Sequence, residues 1–293
     1  MLSKKKAKVI KMFILLRANY YLNQLNPYSL IFPIIVMTAK EKDFCFCTLA
    51  LGKKYRDLAK NLAVDLKKYA PGIFFVVGTD RVQDFTNYDN AIAFRLYQEG
   101  ILHCYNDKRT VIKECLKQFE KAIYIDADTK ITEPVPLSID CPTGIVGCHK
   151  QMLPHIKQYR SKDVPYIMEI ADKLDIDIDR VKWVGEALFM VKKDGGKEQE
   201  FLDTWEKIAR YLELKGINSG EGNIMGLAAA KVGWDIDRTD SWKTLKHLVN
   251  HLDASTQKTP KSLWNKLEKR LGYHYRLNKN RLIALQDYSF YYQ

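Results

Sequence analysis

The 293-residue chain lacks the short signatures that announce many common enzyme chemistries. It contains no G-x-S-x-G, no P-loop, no H-E-x-x-H and no G-x-G-x-x-G. Those absences exclude a hydrolase nucleophile elbow, a Walker-type nucleotide site, a zincin and the dinucleotide fingerprint. Its six cysteines (Cys45, Cys47, Cys104, Cys115, Cys141 and Cys148) form no C-x-x-C pair. Most fall in apolar runs, as reduced core thiols of a cytoplasmic protein do, which speaks against a zinc cluster or a disulfide framework. Internal repeats and low-complexity tracts are absent as well, so a solenoid or a disordered chain is not expected.

A clean membrane span is also missing. Lys4, Lys5, Lys6 and Lys8 precede an apolar run over residues 9–16 in the manner of a signal peptide, but Lys11 and Arg17 interrupt it and no small-residue cleavage site follows. Residues 18–39 are uncharged and long enough to span, yet Asn19, Asn23, Gln24, Asn26 and Pro27 are costly in lipid. A basic, aromatic helix over residues 10–25 is expected instead, packed on the domain or lying on a membrane surface.

The net charge of +12 suggests nucleic acid until it is located. Residues 1–43 carry eight Lys and Arg against two acids, and residues 257–293 again carry eight against two, which leaves 31 of each sign between them. The excess therefore sits at two ends and not along one continuous face. That suits an anionic membrane surface or a phosphorylated ligand at least as well as nucleic acid, so a cytoplasmic protein is expected, with peripheral membrane contact as an alternative to a fully soluble one.

Apolar runs at 44–51, 73–77 and 123–125 read as buried strands, and 101–105 reads as a third short strand between them. Helical periodicity appears over 53–70 and 109–119, and later over 197–214, 221–232 and 259–271. Strands are also expected at 144–148 and 188–191. Alternation of short, continuous apolar strands with helices predicts an α/β fold: a mainly parallel, Rossmann-like sheet covered by helices on both faces. We divide the chain into a segment 1–43 and a single domain 44–293, with a regular half 44–136 and an irregular half 137–293. Ligands of such sheets sit beyond the carboxyl ends of the strands, where Thr48, Asp80 and the acidic pair Asp126-Ala127-Asp128 are expected to converge.

In an extended Asp-x-Asp the two carboxylates point to one side and can meet a single hard cation. Such a triplet is weak by itself; here a buried strand delivers it. The run KAIYIDADTKITEPVP, preceded by NDKRTVIKECLKQFE, resembles the DxD region of metal-dependent glycosyltransferases of the GT-A fold. TLALGKKYRDLAKNLAVDLKKYAPGIFFVVGTD is similar to their first strand, helix and second strand. The likeness covers about 44–136 well and the later half more loosely. It implies a nucleotide-sugar donor, UDP-sugar favoured, bound with Mn2+ or Mg2+, and a glycan, lipid-linked or protein acceptor. Carried over by position, Asp126 and Asp128 hold the metal, Asp126 also contacts the donor ribose, Thr48 and Tyr55 contact the base, and Asp80 and Arg109 contact the donor. A late segment, HLDASTQKTPKSLW, offers His251 as third metal ligand, with His247 as the alternative, and Lys258 for the diphosphate. On the acceptor side WVGEALFMVKKDGG and GINSGEGNIMG offer Glu186, and secondarily Glu221, as the catalytic carboxylate. Asp175, Asp177, Asp179 and Glu186 match four positions of a calcium loop, but Arg180 occupies the place where the turn requires glycine. Two competing functions are a nucleotidyltransferase, disfavoured by the missing glycine-rich phosphate loop, and a non-catalytic basic binding protein.

Overall fold

The computed structural model describes residues 43–254 and 263–293. The expected helix over 10–25 and the Lys258 position lie outside the described residues. The first strand, β1 (Phe44–Ala50), buries all seven of its side chains, as a strand covered on both faces must. Gly52 then opens helix α1 (Lys53–Tyr69), whose Leu62 and Leu66 pack under the sheet. Strand β2 (Phe75–Thr79) follows, and after a crossover that includes a 3-10 turn (Val82–Phe85) comes β3 (Ala91–Arg95). Helix α2 (Lys108–Leu116) leads into β4 (Lys121–Ile125), again buried throughout, and a turn carries the chain into β5 (Thr129–Ile131). Beyond these come β6 (Gly144–Gln151), α3 (Met152–Tyr159), α4 (Val164–Leu174) and β7 (Lys182–Lys192). The chain continues through α5 (Lys197–Leu214), α6 (Glu221–Lys231), α7 (Asp240–Leu248), β8 (Val249–His251), α8 (Leu263–Ala284) and α9 (Tyr288–Tyr292).

The fold is α/β, with a mixed, mostly parallel central sheet flanked by helices. Strand order is β3-β2-β1-β4-β7-β6, with β3, β2, β1 and β4 parallel and β7 antiparallel to both of its neighbours. On one face Phe46, Val77, Ile123 and Met190 pack with α1 and with Trp242 of α7. On the other, Tyr124 stacks on Phe189 at 5.1 Å and Phe189 meets Trp205 of α5 at 6.3 Å. A second, two-stranded sheet pairs β5 with β8 antiparallel, Thr129 opposite His251. The described residues belong to one contact unit, 39–293, and no helix among them is long and apolar enough to cross a membrane.

Several expectations need correction. The third strand is Ala91–Arg95 and not 101–105, which forms a loop entering a short 3-10 turn. This edge strand alternates in burial, and its apolar run is only four residues long, two of them alanine. Strand β7 is far longer than 188–191, and α8 runs on to Ala284 instead of ending at 271.

Two glycines set the position of α6. A Cβ at Gly226 would lie 2.0 Å from the Lys182 carbonyl oxygen, and one at Gly222 would lie 2.2 Å from that of Val184. Bare backbone at both positions lets the helix lie directly on β7. A helical Gly→Ala change gains about 1 kcal/mol in propensity, while overpacking against backbone that no rotamer can relieve costs about 1–3 kcal/mol or more. Gly226→Ala is therefore expected to destabilise the protein by about 2 kcal/mol in urea unfolding. A midpoint equal to or above that of the wild type would show that α6 does not depend on this contact.

Candidate active site

Strand order reverses between β1, which leads outward to β2, and β4, which leads toward β7. This is the switch point at which open α/β sheets bind ligands. A cavity of about 780 Å³ opens there, within the range of small-molecule sites. Leu49, Leu51 and Tyr55 form one wall, the acidic turn lies at its base, and His155, Trp183 and Asn223 form the far side.

Asp126, Ala127 and Asp128 form a turn and not the extended strand expected. The Thr129 N–H donates to the Asp126 carbonyl at 3.1 Å, and Ala127 is buried in the core. Both carboxylates nevertheless reach the cavity. Asp126 is fixed from β7 by its own N–H, which donates to the Ala187 carbonyl at 3.0 Å. Asp128 is held by the chain leaving β8: the Ala254 N–H donates to its Oδ2 at 2.7 Å and the Leu252 N–H to its carbonyl at 2.8 Å. The β5–β8 pairing sets His251 alongside, with Nδ1 3.5 Å from Asp128 Oδ1. Ligand atoms of Asp126, Asp128 and His251 all lie within 4.8 Å of one another. Two hard carboxylate oxygens and one imidazole nitrogen are a donor set that suits Mn2+ or Mg2+, so these residues fit a divalent ion.

The buried Lys108, at the start of α2, ties this centre to the rest of the cavity. Its ammonium lies 3.0 Å from Asp126 Oδ1 and 3.1 Å from Glu221 Oε1, and donates to the Glu186 carbonyl at 3.0 Å. The Tyr124 ring lies beneath it at 5.0 Å. Burial acts to lower the lysine pKa, but Asp126, Tyr124 and Glu221 outweigh it and hold the group firmly charged.

Glu186 and Glu221 meet across the β7–α6 contact. Between the pairs Gly147–Phe189 and His149–Val184, β7 has residues 185–188 where β6 has only Cys148. The extra residues bulge toward the cavity, and Glu186 rides on the bulge. The Gly222 N–H donates to Glu186 Oε1 at 2.9 Å. Burial, and after it the charge of Glu221, push the Glu186 carboxyl up to about 8, against the opposing pull of Lys108 and the Gly222 N–H. Asn223, also buried, lines the cavity with an Oδ1 that has no hydrogen-bond partner among the described residues. A polar ligand would satisfy it.

Of the residues expected here, Tyr55, Asp126, Asp128, Glu186, Glu221 and His251 line the cavity, and three do not. Thr48 lies inside β1 opposite Val77, fully buried, because the strand continues to Ala50. Asp80 is engaged elsewhere: it accepts from Arg56 Nη1 at 2.7 and 2.8 Å and from the Gly52 N–H at 3.1 Å, clamping the turn between β1 and α1. Arg109 faces away, with Nη2 2.7 Å from Glu99 and Nη1 2.9 Å from the Asn106 carbonyl. Lys108 stands where Arg109 was expected. The apolar stripe of α2, extrapolated backward, passes through both positions (108 with 112 and 115; 109 with 112 and 116), so periodicity does not choose between them.

Because like charge raises the Glu186 pKa, Glu221→Gln should lower it. In a ¹³C-carboxyl NMR titration Glu186 is expected to ionise well above the ordinary carboxylate range. The Gln variant should shift its midpoint down by about one unit or more. Equal midpoints in the two proteins would contradict the contact.

No protein-family model and no curated protein matches the chain.

Proposed function

We propose that the protein is a metal-dependent glycosyltransferase of GT-A-like fold, transferring a sugar from a nucleoside-diphosphate donor, UDP-sugar favoured, to an acceptor hydroxyl. The observation that carries this proposal is the convergence of Asp126, Asp128 and His251 at the switch point of the sheet, in one cavity with the Glu186–Glu221 pair. Mn2+ or Mg2+ held by Asp126, Asp128 and His251 would supply Lewis-acid stabilisation of the negative charge on the departing diphosphate.

The remaining chemistry belongs to the chain's own residues. The Tyr55 ring, with Leu49 and Leu51, gives the base a flat apolar wall. Lys108 holds Asp126 and Glu221 in place and offsets part of their mutual repulsion, so the acidic centre is assembled before donor arrives. In an inverting transfer, the ionised Glu186 takes the acceptor hydroxyl's proton as the acceptor oxygen bonds to the anomeric carbon and the bond to diphosphate breaks. In a retaining transfer, the same carboxylate faces the oxocarbenium-like centre. A carboxyl that titrates near the working pH suits the first role, since its base form is then both available and strong.

The test is a donor screen: hydrolysis of UDP- and GDP-sugars with Mn2+, by the wild type and by Asp128→Ala. Turnover of at least one donor is expected, falling by about 100-fold or more in the variant, because even residues that only orient ligands are worth 10–100-fold. Absence of turnover with every donor, or equal turnover by the variant, would refute the proposal.

A further inference from the structure

The described surface concentrates its large exposed apolar and aromatic side chains in one place. Of thirteen such residues, seven (Leu267, Leu271, Tyr275, Leu282, Leu285, Tyr288 and Tyr292) lie on α8 or in the segment after it. At 3.6 residues per turn, Leu267, Leu271, Tyr275 and Leu282 fall within about 80° of one another around the α8 axis. They form a single stripe and not a scatter; Leu282 is 67% exposed. Arg270 and Arg281 border the stripe on one side, and Glu268 and Lys279 on the other, all exposed. Residues 263–293 carry six basic side chains against two acidic ones, and Asp287 is already paired with Lys207 at 2.7 Å.

The opposite face of α8 is bolted to the body. Arg276 donates through Nε and Nη2 to the Ile101 carbonyl at 3.2 and 3.1 Å, and the buried Asn280 accepts from Arg210 Nε at 3.1 Å. The helix is thus fixed, while Leu267, Leu271 and Leu282 of the outer stripe stand 48%, 53% and 67% exposed. It also borders the cavity, since Lys269 lines the mouth and the loop held by Arg276 contributes Leu102 and His103.

We propose that the outer stripe of α8 is a docking surface for an anionic lipid bilayer. Leu side chains enter the acyl boundary, Tyr rings sit at headgroup level, and Arg270, Arg281 and Lys279 meet lipid phosphates. The flanking cations select this occupant: a leucine stripe bordered by arginine on one side and lysine on the other matches an apolar layer edged with negative charge. The surface does not rest on the transferase proposal, because its test reads binding alone.

The experiment is flotation of the full chain with phosphatidylcholine vesicles, with and without phosphatidylglycerol, using wild type, Leu271→Glu/Leu282→Glu and Arg270→Gln/Arg281→Gln. The wild type is expected to float with the anionic vesicles and to lose binding as salt rises. The Leu pair should weaken partitioning by about tenfold or more, and each removed Arg by about fivefold. All four positions are exposed, so melting temperatures should stay unchanged; if the Leu pair disturbs the fold, the Arg pair alone decides. No flotation of the wild type, or equal flotation of wild type and Arg pair, overturns the proposal. So does a dimer in light scattering that the Leu pair dissociates, which assigns the stripe to a second copy of the chain.

Discussion

A single buried ammonium organises the site. Lys108 has three N–H donors, and three groups within 3.1 Å take them: the carboxylates of Asp126 and Glu221 and the Glu186 carbonyl. These belong to the end of β4, the start of α6 and the bulge of β7, so one side chain from α2 links four elements. Taking a charge out of water costs several kcal/mol unless it is fully partnered, and removing one partner of such a set leaves an uncompensated buried charge. Each carboxylate therefore depends on the others being in place. The arrangement also limits repulsion: five acidic residues line the cavity, and without Lys108 the Asp126 and Glu221 charges would have no cation between them.

The packing around this centre follows from small residues at points of close approach. Gly222 and Gly226 allow α6 to rest on the β7 backbone, and that contact sets Glu221 and Asn223 beside Glu186. On the other flank, the β5–β8 pair brings a late segment of chain back to the acidic turn. The Ala254 N–H fixes one Asp128 oxygen and leaves the other toward His251. Catalytic and structural roles are hard to separate here, because the groups that would hold a ligand also close the fold.

Much of the regular half, 44–136, was legible in sequence, for a physical reason. Parallel strands buried on both faces appear as short continuous apolar runs, and Phe44–Ala50, Phe75–Thr79 and Lys121–Ile125 all correspond to such runs. A strand end that delivers two carboxylates stands out against that background. The edge strand Ala91–Arg95 did not, since its apolar run is only four residues long and two of them are alanine. Thr48, Asp80 and Arg109 do not line the cavity, because the first strand runs on to Ala50, Arg56 engages Asp80, and helix periodicity does not choose between Lys108 and Arg109. Pairings distant in sequence, such as β5 with β8 and the bulge that turns Glu186 inward, leave no local pattern at all. His251 was suggested by the resemblance to DxD glycosyltransferases, and β8 explains how it comes to lie beside the two carboxylates.

The central claim is that Asp126, Asp128 and His251 form one divalent-metal site that serves a nucleotide diphosphate. Electron paramagnetic resonance of Mn2+ titrated into the protein, with and without UDP, tests it without requiring the sugar or the acceptor. One bound ion per chain is predicted, held more tightly with UDP, and lost in both Asp128→Asn and His251→Ala. Undiminished Mn2+ binding in those variants, or none in the wild type with UDP present, would contradict it.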